Sequence, residues 1–185
     1  MIRFSIHDLP LPGPKIIERK PIGDERGFLC RIFCEVELAE LGWRKPVSQI
    51  NQTFTEKSGT VRGLHFQYPP HSEMKLVNCL RGSIWDVVVD IRSYSPNFLK
   101  WCAVELSAKN NRALFIPEGF AHGFQTLSDK CELLYLHSSP HVPDAEGALN
   151  PVDPSLGINW PLHISAISIR DSAHTMLRDY EFKGI

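Results

Sequence analysis

The stretch KLVNCLRGSIWDVVVDI, residues 75–91, holds two apolar segments on either side of the turn residues Arg81-Gly82-Ser83. Short apolar segments rich in β-branched residues and joined by a glycine turn are typical of antiparallel strands. Turn residues recur at intervals of roughly 8–12 residues, and no helical pattern separates them. The pattern predicts a mainly β fold, an antiparallel sandwich or barrel. Further predicted strands lie at residues 101–106, 112–116, 121–127 and 131–137.

The rest of the chain predicts one domain over residues 1–185. A proline-rich beginning indicates an extended N-terminal arm over about residues 1–15. Apolar residues at helical spacing indicate a short helix at residues 34–43. Residues 139–160, rich in Pro, Asp and Gly, are expected to pass over one end of the barrel as an ordered loop. A C-terminal tail, about residues 164–185, is expected to hold one short helix.

Composition and charge exclude several classes of partner. A hydrophobic fraction of 43% with 22% charged residues is that of an ordinary globular protein. The net charge of −1 predicts neither nucleic acid nor a membrane surface as a partner. The apolar runs are too short to span a bilayer, and the N-terminus lacks the apolar core of a signal peptide. Five scattered cysteines predict free thiols and a cytoplasmic location: Cys30, Cys34, Cys79, Cys102 and Cys131.

The segment PEGFAH, residues 117–122, resembles the second sequence motif of the cupin superfamily. Many cupins bind a metal through a His-x-His pair and a glutamate in the first motif, together with the histidine of the second. Here GLHFQ, residues 63–67, has Gln67 in place of the second histidine, and the nearest glutamate, Glu73, lies far from His65. Because two imidazoles alone make a poor metal site, we expect no metal.

Without a metal, His65 and His122 are either proton-handling groups or polar residues of the core. A single histidine between apolar residues is often structural. Asp171 is a carboxylate that could hold the other nitrogen of the His65 ring and raise its basicity. Asp86 is expected to have a structural role, and His137 has no recognisable context, which favours an accommodated surface or core position.

Basic and amide side chains accompany His65. Arg62 and Lys75 flank it in sequence and suit a phosphate-bearing ligand at the mouth of a barrel. Gln49 and Asn51 stand two apart on an extended segment, so they would point to the same face and add neutral hydrogen-bonding groups.

Five stretches, in this order, make the chain resemble the dTDP-4-dehydrorhamnose 3,5-epimerase family of nucleotide-sugar enzymes. The similarity extends over about residues 15–175. The stretches are DERGF (24–28), VRGLHFQ (61–67), WDVVVDIR (85–92), IPEGFAHGF (116–124) and DPSLGINWP (153–161).

The resemblance implies an antiparallel double-stranded β-helix, the cupin or jelly-roll barrel, with a few short helices. It implies a homodimer without metal or cofactor that acts on a nucleoside-diphosphate 4-keto-6-deoxy (or 3,6-dideoxy) hexose. The implied reaction is epimerisation at C3, C5 or both, through an enolate. The implied pathway resembles that of dTDP-rhamnose and makes deoxysugars for surface polysaccharide, such as lipopolysaccharide O-antigen.

The resemblance also implies roles for individual residues. His65 with Asp171 removes the proton beside the ketone, Lys75 stabilises the enolate, and Tyr135 returns a proton on the opposite face. His122 is expected to support the site or contact the substrate. The residues implied to bind substrate and nucleotide are Arg26, Leu29, Gln49, Asn51, Arg62, His122, His141, Glu146 and Arg170.

The departures from the family pattern are grouped near the expected nucleotide end. Leu29, Cys30 and Arg31 stand where the family usually has aromatics and a glutamate, and His141 replaces a tyrosine. Pro151 stands in place of a tryptophan. Two interpretations stay open: a base other than thymine, with a CDP-sugar as the leading option, or simple drift around a dTDP-sugar.

Two alternative functions accompany the leading one. Related cupins act as 3,4-ketoisomerases of nucleotide sugars, and the presence of Tyr135 argues against that reaction because a same-face proton shuttle has less need of it. The second alternative is a sugar-nucleotide binding protein without activity. The presence of His65, Lys75, Tyr135 and Asp171 together argues against it.

Overall fold

The computed structural model describes residues 3–185 as two packed β-sheets with short helical turns. The strands are β1 (Phe4–Asp8), β2 (Lys15–Arg19), β3 (Ile22–Asp24), β4 (Gly27–Leu29), β5 (Gln49–Thr55), β6 (Thr60–Gln67), β7 (Lys75–Arg81), β8 (Ser83–Asp90), β9 (Trp101–Ser107), β10 (Arg112–Ile116), β11 (Phe120–Thr126), β12 (Cys131–His137), β13 (Glu146–Ala148) and β14 (Ala166–Ile167). The helices are α1 (Glu35–Ala39) and α2 (Ile169–Ser172), with 3₁₀ turns at Pro143–Ala145 and Leu177–Asp179.

The first sheet has the strand order β1-β2-β10-β7-β12-β5, and the second has the order β13-β6-β11-β8-β9. Within the part of the chain that the structure describes, the strands pair antiparallel except for β14, which pairs in parallel with β6. Strands β3 and β4 form a separate hairpin. Chain-adjacent strands β7 and β8 lie in different sheets, as the winding of a double-stranded β-helix requires. The predicted cupin barrel of mainly antiparallel β structure is confirmed.

The main core fills the space between the two sheets. Val77 and Leu133 enter it from the first sheet, while Val88 and Phe124 enter it from the second, and all four are almost fully buried. The two-residue period of each strand places alternate side chains in this layer. Because the same period also directs polar residues inward near one end, the barrel there becomes a lined cavity.

A second apolar cluster covers the outer face of the first sheet. Leu38 and Trp43 pack against Leu76 and Phe115, and all four side chains are buried. The helix predicted at residues 34–43 is shorter in the structure, where α1 spans only Glu35–Ala39. Its N-cap residue makes no side-chain capping bond, and the chain then turns through Gly42 at φ 95° so that Trp43 reaches the sheet.

Three segments predicted to be peripheral supply strands. The N-terminal arm contains β1, which pairs with β2, although the first two residues of the arm lie outside the described residues. The loop at residues 139–160 contains β13, and the C-terminal tail contains β14 in addition to α2. Both added strands pair with β6, so they extend the sheet beside His65.

All five cysteines are free thiols. Among residues 3–185, no helix combines the length and the apolar character needed to cross a membrane.

Candidate active site

A cavity between the sheets contains most of the predicted site residues. It has two adjoining parts, of about 210 and 280 Å³, which share Asn51, His65, Lys75 and His137. We call them the tyrosine chamber and the glutamate chamber. The tyrosine chamber is completed by Thr53, Arg62, His122, Gly123, Phe124 and Tyr135, and the glutamate chamber by Gln49, Phe66, Gln67, Glu73, His141 and Glu146.

His65 and Asp171 form a hydrogen-bonded pair at the cavity wall. His65 Nε2 lies 2.8 Å from Asp171 Oδ1, although the two residues are 106 positions apart in the chain. Helix α2 brings Asp171 there, and the Ser168 hydroxyl caps that helix by accepting from the Asp171 N–H. The other carboxylate oxygen accepts from the Gly63 N–H at 3.2 Å.

The pKa of Asp171 is low although the residue is buried. Burial by itself would raise this pKa, but the hydrogen bond from His65, the charge of His65 and the Gly63 N–H outweigh it and lower it to about 2. An ionised Asp171 accepts a hydrogen bond and therefore places the imidazole proton on Nε2. The nitrogen of His65 that is free to take a proton from a substrate is Nδ1.

A close approach of strands β6 and β11 determines the position of His65. A Cβ atom added at Gly63 would lie 2.5 Å from the Gly123 Cα, so only glycine fits there, and its φ of +122° also favours glycine. His122 is the register partner of His65 across this same pair of strands. The two glycines let both histidines approach one cavity.

His122 has its own carboxylate partner. His122 Nε2 lies 2.6 Å from Asp86 Oδ1, and both side chains are buried. Complete burial raises the pKa of Asp86, and the neighbouring His122 opposes that rise. Asp86 thus contacts a histidine that lines the tyrosine chamber, and the structural role expected of Asp86 stays a prediction.

Tyr135 comes from the other sheet. It lies on β12, whereas His65 and His122 lie on β6 and β11. Its ring centroid is 6.1 Å from that of His122, in an edge-on arrangement. Burial, with the charge of Asp86, raises the pKa of Tyr135 above its ordinary value, so the phenol is protonated at neutral pH. The cavity thus has two imidazoles on one sheet and a protonated phenol on the other.

Lys75 belongs to a cluster that the sequence did not predict. Its ammonium contacts Glu73 at 3.1 Å and the His65 carbonyl oxygen at 3.4 Å. Glu73 also accepts a hydrogen bond from His137 Nδ1 at 2.7 Å. His137 was expected at an accommodated surface or core position, and the structure places its side chain at the wall of both chambers. The signal that could have found it is its spacing of two from Tyr135 on one strand.

The amides at positions 49 and 51 share a face, as predicted. Gln49 Nε2 donates to Asn51 Oδ1 at 3.0 Å, and both side chains line the glutamate chamber. Gln49 Oε1 accepts from the backbone N–H of His141 at 3.1 Å. This bond attaches the loop after β12 to the cavity wall.

Charged residues surround the opening beside His65. Glu146 Oε2 lies 3.1 Å from Arg170 Nη1 and 3.7 Å from His141 Nε2. Arg170 Nη2 lies 3.1 Å from His65 Nε2, and this contact is not a hydrogen bond while Nε2 carries the proton that it donates to Asp171 at 2.8 Å. Arg62 lines the tyrosine chamber, and with Arg170 it also lines an adjacent surface groove behind His65. Two arginines near one opening suit a diphosphate.

Two of the predicted binding residues lie apart from this cavity. Arg26 pairs with Asp24 inside the β3–β4 hairpin. Leu29 lies in the same hairpin and lines a different hollow, with Arg19 and Cys79. Leu29 is 76% exposed, so within one chain it packs against little.

The donor set of the cavity does not fit a metal centre of the cupin type. His65 and His122 each have a carboxylate partner, and Glu73 is shared by Lys75 and His137. Gln67 donates to the carbonyls of His71 and Pro140, and its own oxygen accepts from the Val142 N–H. Within residues 3–185, no three His, Cys, Asp or Glu side chains are grouped so that they could hold a metal ion.

Comparison with known proteins gives one consistent family. The family model described as dTDP-4-dehydrorhamnose 3,5-epimerase matches residues 8–179. A curated relative of that name from Salmonella typhimurium is 42% identical over 168 residues, which are 90% of this chain and 92% of the relative.

Solved structures agree with the sequence comparison. The dTDP-4-dehydrorhamnose 3,5-epimerase of Bacillus anthracis with TDP and pyrophosphate bound superposes with a TM-score of 0.90 at 34% identity, covering 94% of this chain and 99% of that one. The dTDP-6-deoxy-D-glucose-3,5-epimerase of Legionella pneumophila, in complex with dTDP-4-keto-L-rhamnose, gives 0.89 at 38% identity, covering 95% and 93%.

Proposed function

The chain belongs to the dTDP-4-dehydrorhamnose 3,5-epimerase family, and we propose that it inverts C3, C5 or both carbons of a nucleoside-diphosphate 4-keto-6-deoxyhexose. The observation that carries this proposal is the placement of His65, held by Asp171, and Tyr135 on opposite sheets of one cavity. Epimerisation needs a base and an acid on opposite faces of one carbon. The product serves deoxysugar biosynthesis for a surface polysaccharide, such as an O-antigen.

The first chemical step is removal of a proton beside the ketone. Nδ1 of His65 takes the proton, and the electron pair of the C–H bond forms the C=C bond of an enolate while negative charge moves to the ketone oxygen. Asp171 stabilises the imidazolium that forms, because its low pKa keeps it anionic. The Lys75 ammonium stabilises the developing oxyanion by its charge.

The second step returns a proton to the opposite face. The Tyr135 hydroxyl gives its proton to the carbanionic carbon, the enolate collapses to the ketone, and the configuration is inverted. The raised pKa of Tyr135 keeps the phenol protonated until the enolate forms. Proton exchange with solvent then restores the neutral imidazole and the phenol, so the cycle consumes no cofactor.

Solvent deuterium exchange tests this function directly. A dTDP-linked 4-keto-6-deoxyhexose is incubated with the protein in D₂O and followed by proton NMR. Exchange at both C3 and C5 indicates a double epimerase, and exchange at one carbon indicates a single one. Movement of the carbonyl from C4 to C3 would identify a ketoisomerase, and absence of exchange would identify a binding protein.

The nucleotide of the proposed substrate is dTDP. The structural relatives bound to TDP and to a dTDP-sugar support this choice. A CDP-sugar is a second candidate because Leu29, Arg31 and His141 depart from the family pattern. Arg31 pairs with Glu37 at 2.7 Å beside α1, which gives it a structural partner. Calorimetric titration with dTDP and CDP decides between the two, and tighter binding of CDP would overturn the dTDP assignment.

The proposed assembly is a homodimer of single-domain chains in the cytoplasm. The β3–β4 hairpin supports it, since Ile22, Phe28 and Leu29 are exposed large apolar side chains on one small projection. A second chain would cover them and give Arg26 a place near a nucleotide. Light scattering tests the dimer: replacing Phe28 and Leu29 by serine is expected to yield monomers, and an unchanged dimer would contradict this interface.

A further inference from the structure

The carboxylate of Glu73 bridges two cationic or proton-bearing side chains inside the cavity. One oxygen contacts the Lys75 ammonium at 3.1 Å, and the other contacts His137 Nδ1 at 2.7 Å. Only about a tenth of each of the Lys75 and Glu73 side chains is exposed. Both carboxylate oxygens are therefore engaged, and the contacts fix the position of the carboxylate.

His137 is itself held from its far side. Its Nε2 lies 3.5 Å from the Asn51 side-chain nitrogen, and the Asn51 oxygen accepts from Gln49. Since the Asn51 nitrogen can only donate, Nε2 of His137 is the acceptor and Nδ1 carries the proton that points at Glu73. A series of hydrogen-bonded side chains thus connects Gln49, Asn51, His137 and Glu73 in that order. The ion pair of Glu73 with Lys75 ends the series.

Stability does not explain this cluster well. Buried ion pairs gain little net free energy over apolar side chains, because taking charges out of water offsets their attraction. The cluster faces the cavity and not the apolar core. A lysine side chain is flexible, and an enzyme that stabilises an enolate needs the ammonium held at hydrogen-bond distance from the oxygen without displacement.

We propose that Glu73 and His137 are positioning residues that hold the Lys75 ammonium at the place where the enolate oxygen forms. Glu73 orients the ammonium directly, and His137 orients Glu73. This inference rests on the proposed function, because it assigns Lys75 to an enolate. It adds two side chains of one cluster to the residues that determine the rate of proton abstraction.

The test measures deuterium exchange of a dTDP-linked 4-keto-6-deoxyhexose, together with kcat, KM and calorimetric binding of TDP. Glu73→Gln removes the charge and keeps the shape, and it is expected to lower kcat about 10- to 100-fold, as expected for a misplaced catalytic group. KM and the Kd for TDP are expected to change less than about threefold, since neither depends on the enolate.

His137 offers a matched pair of variants. In His137→Asn the amide nitrogen takes the place of Nδ1, so the donor to Glu73 survives and kcat is expected within about threefold of wild type. His137→Leu removes the donor and is expected to lower kcat about 10-fold. The kcat of the Glu73→Gln/His137→Leu double variant is expected to lie within about threefold of that of Glu73→Gln, because the two residues act as one unit.

Glu132→Gln is the control, since Glu132 lies on the same strand β12 as His137 but bonds Gln52 outside the cavity. It is expected to leave kcat unchanged. If the wild type catalyses exchange and the kcat of Glu73→Gln lies within about twofold of the wild-type kcat, the positioning role is overturned while the proposed function stands. Equal losses in His137→Asn and His137→Leu would also overturn it. Absence of exchange by the wild type would overturn the proposed function, and the inference with it.

Discussion

Two of the histidine–carboxylate pairs at the cavity, His65–Asp171 and His122–Asp86, differ in exposure and in the pKa of the carboxylate. The His65 side chain is 25% exposed and its partner Asp171 has a lowered pKa, about 2. The His122 side chain is 6% exposed, and burial raises the pKa of its partner Asp86. His65 can therefore contact a substrate in the cavity while Asp171 stays ionised beside its imidazole ring. The second pair is enclosed and suits the support of Tyr135.

Two causes produce the difference: complete burial raises the pKa of Asp86, whereas several hydrogen-bond donors around Asp171 outweigh the effect of burial there. Asp171 receives the His65 ring and the Gly63 N–H, because helix α2 lies at the edge of β6. Among residues 3–185, Asp86 receives only His122, and its second oxygen has no hydrogen-bond partner. A histidine beside a carboxylate is therefore not by itself a catalytic base. The solvation of the carboxylate decides whether the pair can carry charge.

Of the two carboxylates, Asp171 should have the larger effect on the rate of deuterium exchange when it is replaced. Asp171→Asn keeps the shape but removes the anion that holds the His65 tautomer, and it is expected to slow deuterium exchange about 10³-fold. The rate of exchange into the 4-keto sugar measures it. A loss below about tenfold would mean that the pair at His65 is not the base.

Tyr135→Phe should have the next largest effect, and one that separates the two faces of the substrate. Inversion is expected to fall about 100-fold, because the proton donor is gone, whereas exchange is expected to fall less than about tenfold. NMR of substrate recovered from D₂O distinguishes exchange with retained configuration from exchange with inversion. Equal loss of both would contradict the assignment of Tyr135 to the opposite face.

Asp86→Asn should have a smaller effect. The amide oxygen can still accept from His122, and no buried anion is needed there, so the exchange rate is expected within about tenfold of wild type. Thermal unfolding of the same variant controls for folding. A loss as large as that of Asp171→Asn would remove the distinction between the two pairs.

The smallest expected effect is on stability in acid. The folded pKa of Asp171 is about 2, below its ordinary 3.8, so its ionised form stabilises the fold. This contribution is complete above about pH 4 and is lost as the pH falls through about 2. The difference in unfolding free energy between wild type and Asp171→Asn should therefore be constant from about pH 5 to 7 and shrink toward pH 2. A difference that grew with acidity would contradict the low pKa.

The strands of the barrel could be predicted from sequence because alternation and turn residues are local signals. The segment at residues 75–91 is an example, since the turn that joins β7 to β8 lies where Gly82 has φ +77°. The short strands β13 and β14 could not be predicted, because they have three and two residues and form only through pairing with β6. Their existence depends on a distant partner and not on their own composition.

The functional site could likewise be predicted from the sequence only in part. The meeting of His65 with Asp171 could be expected from the family resemblance, and the structure brings them to 2.8 Å. The roles of the site residues stay predictions until variants are measured. His137 and its bond to Glu73 were missed because the two residues are 64 positions apart and neither lies in a recognised motif. Only the spacing of two between Tyr135 and His137 indicated a shared face.

The most direct test compares His65→Asn with His122→Asn in one deuterium-exchange assay. Both variants shorten a histidine that has a carboxylate partner, on neighbouring strands at paired register. His65→Asn is expected to reduce exchange at least about 10³-fold, and His122→Asn less than about tenfold, with TDP still bound by both. A reversed order, with His122→Asn the slower variant, would contradict the assignment of His65 as the base.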